Sequence, residues 1–557
     1  MKLEIKKWFR IRDNICVYLK ILHSKLTEIL HQLEFDIIDN IIRERVSEIK
    51  HDAFIRQSRK LNNLQNLQNG DEFDINLVNT HAFSDRFVNL SNVNLNNREI
   101  NYLEKGLKFC KKPKFTTEIK SVMASEAESA LRLSNLQYAK FQIADLIRNS
   151  KPDKNSNSDY ETERSIKNKI TNNDLVLAKA DKGNSSVLLT KNSYNGKITD
   201  FINSNNLATM NNNPTSKYNT KIKNALDKTK LLFNNETKNT LIVKNPQAPK
   251  LYGTIKIHKQ DKPIRPVVSY IDVPCVKLSR KLNEVIQNYE YKSKYTVKNS
   301  MDLINQLKQK TIPTNGKLVS FDVTNMFTKI NPNHCLPLLK NFLQKKDIHV
   351  DIINEILNLF EICIQQNYFT YDNKFYSLDE SLPMGSPISP LLANIFMDHF
   401  EEKLFKSNES KNICFWYRYV DDVFACFTGS KRQLDLFLKY INNIHPNIKF
   451  TVETEVDNKI NYLDLTIENK NGRFEFSIYR KPTHTDTTIP YSSNHPSTHK
   501  LAAYNSMVHR LLTIPMSREN FEKERKIIKQ VAHANGFRPN LTDKIIENKE
   551  YKMIIKN

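Results

Sequence analysis

The sequence predicts an α+β chain of three or four domain-sized units, each with room for its own core. Three observations carry this. Near the N-terminus, Ile15, Leu19, Leu22, Leu26, Ile29 and Leu33 recur at alternating spacings of four and three, the stripe of a helix. In the middle, Lys317-Leu318-Val319-Ser320-Phe321-Asp322-Val323 and the run from Phe415 to Phe427 read as short buried strands. Near the C-terminus, Ser517 is placed to cap a helix ending at Asn535-Gly536. Residues 1–150 are therefore expected to be mainly helical. Residues 151–173, rich in Lys, Asn, Ser and Asp, are expected to be a linker. The N-terminal seam reads either as a coiled coil or as a helix packed on its own chain; its shortness favours the second. Tyr462-Leu463-Asp464-Leu465-Thr466-Ile467 reads as a strand, with a purely structural role open to Asp464.

Among the 557 residues, basic side chains exceed acidic ones by a net +23. A polyanionic partner is the simplest explanation, because each phosphate contact gains from counterion release. The wealth of Lys, Asn and Ile with only 10 Gly also suits AT-biased coding, so charge supports a nucleic-acid partner without establishing it. The seven cysteines show no zinc-ligand spacing, which suits free thiols in a reducing compartment. No apolar run approaches the ~18 residues that span a bilayer. The expected setting is intracellular, with no membrane partner.

The chemistry centres on Tyr419-Val420-Asp421-Asp422, two adjacent carboxylates inside an apolar and aromatic run. Like charges this close repel, and burying them is costly unless a cation intervenes. A hairpin tip with two Asp is a natural cradle for Mg²⁺, a hard ion that takes oxygen ligands. Taken alone, the pair reads equally well as an exposed turn. A third acid, Asp322, ends an upstream strand, and alone it too reads as a turn residue. Three carboxylates from adjacent strands would hold two Mg²⁺ about 3.5–4 Å apart, the arrangement for in-line phosphoryl displacement. Between them lies Leu382-Pro383-Met384-Gly385-Ser386-Pro387-Ile388-Ser389-Pro390, where Ser389 before Pro390 reads as a helix N-cap. Gly385 would let the backbone approach a base pair closely. Gly183 and Gly253 also fall in the segments below, so scarce glycine is concentrated where the backbone needs it.

This order of acid strand, glycine loop with helix, and Asp-Asp hairpin resembles motifs A, B and C of the reverse transcriptase palm. Asp181-Lys182-Gly183-Asn184, the run from Pro249 to Lys259 leading to Arg265-Pro266-Val267-Val268-Ser269, and Tyr479-Arg480-Lys481-Pro482-Thr483-His484-Thr485-Asp486 resemble Penelope-like retroelement reverse transcriptases. The resemblance covers about residues 174 to 540. It implies a right-hand polymerase with fingers over 174–316, palm over 317–470 with a fingers insertion near 343–376, and thumb over 471–557. Asp322, Asp421 and Asp422 would be the catalytic acids and the ligands of two Mg²⁺ per site, with Mn²⁺ able to substitute. Lys259 and Arg265 resemble the fingers residues that grip the triphosphate. Phe327 stands where such enzymes carry an aromatic steric gate; read without the family, it is equally a core Phe closing the strand. Met384 stands where others often have Gln. Lys182, Lys191, His495, His499 and Lys500 would meet nucleic acid.

The implied partners are an RNA template, a DNA primer or target 3′ end, and dNTPs. The expected place of action is the nucleus at the site of integration, the cytoplasm staying open. Many Penelope-like elements carry a C-terminal GIY-YIG endonuclease; no such motif is present, so an endonuclease-lacking or truncated member is expected. Two other readings stand beside this one: a domesticated or inactive relative serving as an RNA-binding scaffold, and an RNA-dependent RNA polymerase, which Phe327 disfavours.

Overall fold

Short hairpins, turned by residues that tolerate positive φ, build most of the sheet structure. The computed structural model describes residues 86–112 and 154–556, apart from 206, 379, 380 and 539, with a few isolated positions between the two spans. The Ile15–Leu33 seam and much of the expected helical extension lie outside the described residues.

Leu175–Lys179 (β2) and Ser186–Thr190 (β3) pair antiparallel about the turn that holds Asp181 to Asn184. Phe87–Asn89 (β1) joins β3 in parallel. A second sheet is formed by Ala208–Met210 (β4), Lys250–Ile255 (β5), Ile264–Ser269 (β6), Tyr368–Tyr371 (β8) and Lys374–Ser377 (β9), in the order β4-β9-β8-β5-β6. Asp372 and Asn373 join β8 to β9 at φ 47° and 58°, the left-handed backbone that a two-residue hairpin requires.

The central sheet is formed by Gly316–Val323 (β7), Ile413–Tyr419 (β10), Asp422–Thr428 (β11) and Phe450–Thr454 (β12), in the order β10-β11-β7-β12. Its side chains alternate between two cores. Val319, Phe321, Val323, Val423, Ala425 and Phe427 face a large cluster shared with the Ser389–Phe405 helix. Leu318, Phe424 and Cys426 face a second cluster shared with Lys459–Tyr462 (β13), Leu465–Lys470 (β14) and Arg473–Ile478 (β15). A slip of one residue would send every one of these side chains to the wrong layer, so the register is tightly set.

Three helices, Ser497–Thr513, Arg518–Ala534 and Leu541–Lys556, close the C-terminal part around Tyr504, Val508, Leu511, Ile528, Val531 and Ile545. Ser517 caps the second helix by accepting from the Asn520 N–H, and Gly536 follows its end at φ 81°. The architecture is α+β, with the central four-stranded sheet set between two cores and a helical C-terminal part.

Three local expectations are corrected. Lys154–Asn172 is a helix, not a linker. Its Thr162 and Ile166 are buried, and Ser165 and Lys169 bond the buried Glu99 carboxylate of the facing Asn97–Glu104 helix. Tertiary packing thus supplies a helix that composition argues against. The run from Tyr462 to Ile467 is not one strand but a hairpin: Leu463 turns the chain at φ 55°, and Asp464 is bonded by Arg510 and Ser300. Ser389 is not the N-cap of its helix. Ile388 holds that position, and the Ser389 hydroxyl donates to the Pro383 carbonyl at 2.6 Å.

Among the described residues no helix is long and apolar enough to cross a membrane. The six described cysteines are free thiols.

Candidate active site

Tyr419 and Asp422 form the last rung of the β10–β11 hairpin, leaving Val420 and Asp421 as its two-residue turn. Val420 sits at φ 57°. A β-branched side chain in the left-handed region costs on the order of 1–3 kcal/mol and persists only where the surroundings hold it. The Asp421 carbonyl accepts from the Val323 N–H at 3.0 Å, and the Tyr462 hydroxyl donates to the Asp422 carbonyl at 2.9 Å. Across the next ladder Asp422 lies directly opposite Asp322. The three acids named by the sequence are therefore brought together by strand register.

Their electrostatics follow from that crowding. Burial raises the Asp421 carboxyl above its ordinary range and Asp322 adds to the rise, while Arg265 and Lys481 pull it back. Burial, then Asp421 and Asp322, push Asp422 up to about 6. Among the described residues, no three His, Cys, Asp or Glu side chains are arranged to hold a metal ion as they stand. The register sets Asp322 and Asp422 side by side, with Asp421 in the adjoining turn. An oxygen-only donor set with mutual repulsion fits a hard divalent cation.

The basic side comes from the fingers and from two loops. Arg265 on β6 pairs with Asp181 at 2.9 Å and stays half-exposed. Lys256 is held below the ordinary lysine range by burial first, then by Arg265 and Lys259. His258 is lowered by burial and next by Lys182. Lys182, Lys256, Lys259 and Arg265 thus form one cationic group. The Gly183 carbonyl accepts from the Thr485 hydroxyl, and Gly183 stands at φ 83° where a Cβ would come 2.8 Å from the Thr483 carbonyl. The Asp181–Asn184 turn, the basic hairpin and the 479–486 segment, far apart in sequence, meet beside the acids.

Phe327 lies on the Met326–Lys329 turn of helix after β7, half-buried against the large core, and its carbonyl accepts from the Leu382 N–H at 3.1 Å. Met384 packs on the same core. Gly385 stands at φ 83°, and a Cβ there would come 2.5 Å from the Val268 carbonyl. The sequence reading assigns its close approach to a base pair; the close neighbour here is the β6 backbone.

Lys191 is not part of this group. It is exposed and faces Asp174 at 3.8 Å. His495 meets the Ser493 hydroxyl at 2.8 Å. His499 and Lys500 line a cavity of about 480 Å³ together with Lys105, Lys108, Lys179 and His484, over an apolar floor that includes Leu107 and Met507. The sequence reading missed Lys481 as a charge facing the acids. Its proximity to Asp421 arises only through the fold, although the residue stands within a segment already singled out.

Three crowded acids at the edge of the central sheet, with a cationic hairpin beside them, suit phosphoryl-transfer chemistry. Residues 257–461 match the family described as reverse transcriptase (RNA-dependent DNA polymerase). That stretch is a reverse transcriptase domain, and its class of enzyme is an RNA-directed DNA polymerase, a nucleotidyltransferase. Residues 487–547 match the animal helix-turn-helix domain, and the C-terminal helices fall largely within that range. No curated protein matches the chain. Among solved structures, telomerase from Candida albicans with a TWJ fragment of telomeric RNA is similar at 11% identity and a TM-score of 0.48, with 82% of this chain and 78% of that one covered. Apo telomerase from Candida tropicalis is similar at 12% identity and 0.42, covering 75% of each chain. The sicinivirus 3Dpol RNA-dependent RNA polymerase is similar at 10% identity and 0.39, covering 60% and 70%.

Proposed function

We propose that this chain is the RNA-directed DNA polymerase of a Penelope-like retroelement, adding dNTPs to a primer or target 3′ hydroxyl, with the nucleus as its place of action. The observation that carries the polymerase reading is the rung that sets Asp422 opposite Asp322, with Asp421 in the adjoining turn. The Penelope-like assignment is supported by the meeting of Gly183 with Thr485 and of Asp181 with Arg265. These contacts join the segments on which the resemblance rests.

Asp322 and Asp421 would hold two Mg²⁺, or Mn²⁺ in their place, with Asp422 completing the negative field. The ions would supply the charge that lowers the pKa of the primer hydroxyl and neutralises the departing pyrophosphate. Arg265 meets the triphosphate as a planar fork and Lys259 as a point charge. Phe327 packs against C2′ of the incoming sugar and excludes a 2′-hydroxyl by clash. Met384 would meet the incoming nucleotide by packing alone, while Gly385 lets its loop lie against the β6 backbone. Lys182 and the groove rimmed by Lys179, His499 and Lys500 carry the single-stranded template along its phosphates.

Primer extension on an RNA template tests this reading. Extension with dNTPs, little with rNTPs, and none in EDTA is expected. Equal extension with rNTPs would favour an RNA-making enzyme, and RNA binding with no extension in Mg²⁺ or Mn²⁺ would favour the scaffold.

A further inference from the structure

Arg418 lies two residues before the Val420–Asp421 turn on β10, and its side chain is fully buried. All five of its N–H donors are engaged. Nε and Nη2 fork onto Glu401 at 2.8 and 3.0 Å, Nη2 also reaches Asp398 at 3.0 Å, and Nη1 reaches Asn394 at 2.9 Å. Asn394, Asp398 and Glu401 share one face of the Ser389–Phe405 helix, because their spacing follows its turn. That face is braced in turn. The Trp416 indole donates to Glu401 at 2.8 Å, and the hydroxyls of Tyr291 and Ser293 donate to Asp398. The backbone is pinned as well: the Arg418 N–H donates to the Tyr295 carbonyl at 2.7 Å, and its carbonyl accepts from Val297 at 2.9 Å.

The remaining bond leaves the cluster. Nη1 donates to the Val420 carbonyl at 3.2 Å. That carbonyl belongs to the peptide that joins Val420 to Asp421, and Val420 is the residue forced into the left-handed region. A backbone conformation that is costly by itself needs a fixed partner to persist. Burial pushes the carboxyls of Asp398 and Glu401 up, whereas burial alone would lower Arg418 and these two acids hold it above its ordinary range. The cation is therefore permanently available as a donor.

We propose that Arg418 is a positioning residue: seated on the Ser389–Phe405 helix, its guanidinium holds the Val420 carbonyl and so fixes the direction in which Asp421 presents its carboxylate for a divalent cation. The proposal rests on the reading of Asp421 as a metal ligand. A group behind the ligand tunes affinity without touching the ion, typically by about 10–100-fold.

The full-length chain is titrated with Mn²⁺ alone and read by electron paramagnetic resonance, with no nucleotide present. Thermal unfolding in EDTA and kcat and KM for dNTP are measured on the same samples. Arg418→Lys keeps the charge and loses the fork. It is expected to weaken Mn²⁺ binding about 10-fold and to lower kcat, with KM for dNTP held within about twofold. Trp416→Phe removes a bond to the same Glu401 and leaves the Arg418–Val420 contact, so it lowers the melting temperature with unchanged Mn²⁺ affinity. Asn394→Ala frees the same Nη1 nitrogen without stranding a charge, gives a weaker form of the Arg418→Lys signature, and decides the matter where Arg418→Lys fails to fold. If Trp416→Phe weakens Mn²⁺ binding as much as Arg418→Lys, the cluster is structural and the proposal falls. Weakened binding in Asp421→Asn with wild-type binding in both Arg418→Lys and Asn394→Ala sinks it alone. Wild-type Mn²⁺ binding in Asp421→Asn sinks the metal reading together with it.

Discussion

The two faces of the β10–β11 turn are built on opposite electrostatic rules. In front, Asp322, Asp421 and Asp422 crowd together, and burial and mutual repulsion raise Asp421 and Asp422. Behind, Arg418 is matched by Asp398, Glu401, Asn394 and a carbonyl, with every donor used. Buried polar groups that are fully bonded rigidify their surroundings, whereas a crowded, repelling set stays poised for a ligand of opposite charge. The contrast teaches that the reactive part is left short of countercharge on a platform that is short of nothing.

The largest expected effect tests the front. Asp421→Asn removes one anion from the crowd, and nucleotide addition should fall by at least about 10³-fold, since an ion's charge is worth several kcal/mol in the transition state. Binding of primer–template should stay near wild type by filter binding, and near-normal extension would refute the assignment. The next tests the back. Glu401→Ala strands a buried guanidinium that keeps only Asp398 as a countercharge, and should cost about 3 kcal/mol in denaturant unfolding. Phe327→Val changes shape rather than charge. It should relax discrimination against ribonucleotides by roughly tenfold to a hundredfold in single-nucleotide addition, and unchanged sugar selectivity would count against the gate.

The smallest effect carries the most telling sign. Asp422 is raised from 3.8 to about 6. The folded protein therefore takes up a proton that the unfolded chain does not in that window, and the stability gained is lost as pH rises through about 6. Asp422→Asn should then stabilise the ion-free protein at pH 7.5 by about 1 kcal/mol once solvent screening is allowed for. A drop in melting temperature in EDTA would contradict the picture of uncompensated repulsion. A bound divalent cation would lower the Asp422 value, so the test is made in EDTA, where the wild-type melting temperature should fall as pH rises through about 6.

The front was legible in the sequence and the back was not, for a physical reason. Strand alternation and the Asp-Asp turn announce the acids, because repulsion inside an apolar run demands an explanation. The partners of Arg418, Asn394, Asp398 and Glu401, stand at helical spacing in the sequence, among other polar residues such as His399 and Glu402. What receives them is decided by tertiary packing. The meeting of Gly183 with Thr485, and of Lys481 with Asp421, likewise depends on how distant loops fold back. The Lys154–Asn172 segment reads as a linker in sequence because its anchorage, buried Thr162 and Ile166 and bonds to Glu99, Lys105 and Lys111, comes from distant residues that no local pattern records. Ser389 shows the converse: its position before Pro390 signalled a cap, but the nearby Pro383 carbonyl captured its hydroxyl.

The contact between Gly183 and Thr485 has a topological consequence. Val268 lies against Gly385, Ile255 bridges Ala180, Gly183 holds Thr485, Tyr479 bonds the Asp464 carbonyl, and Tyr462 returns to Asp422. These contacts tie together segments that lie as much as 302 positions apart in the chain. A Cβ at Gly183 would press on the Thr483 carbonyl, so exchanging that glycine for alanine would part the two segments at the point where they meet.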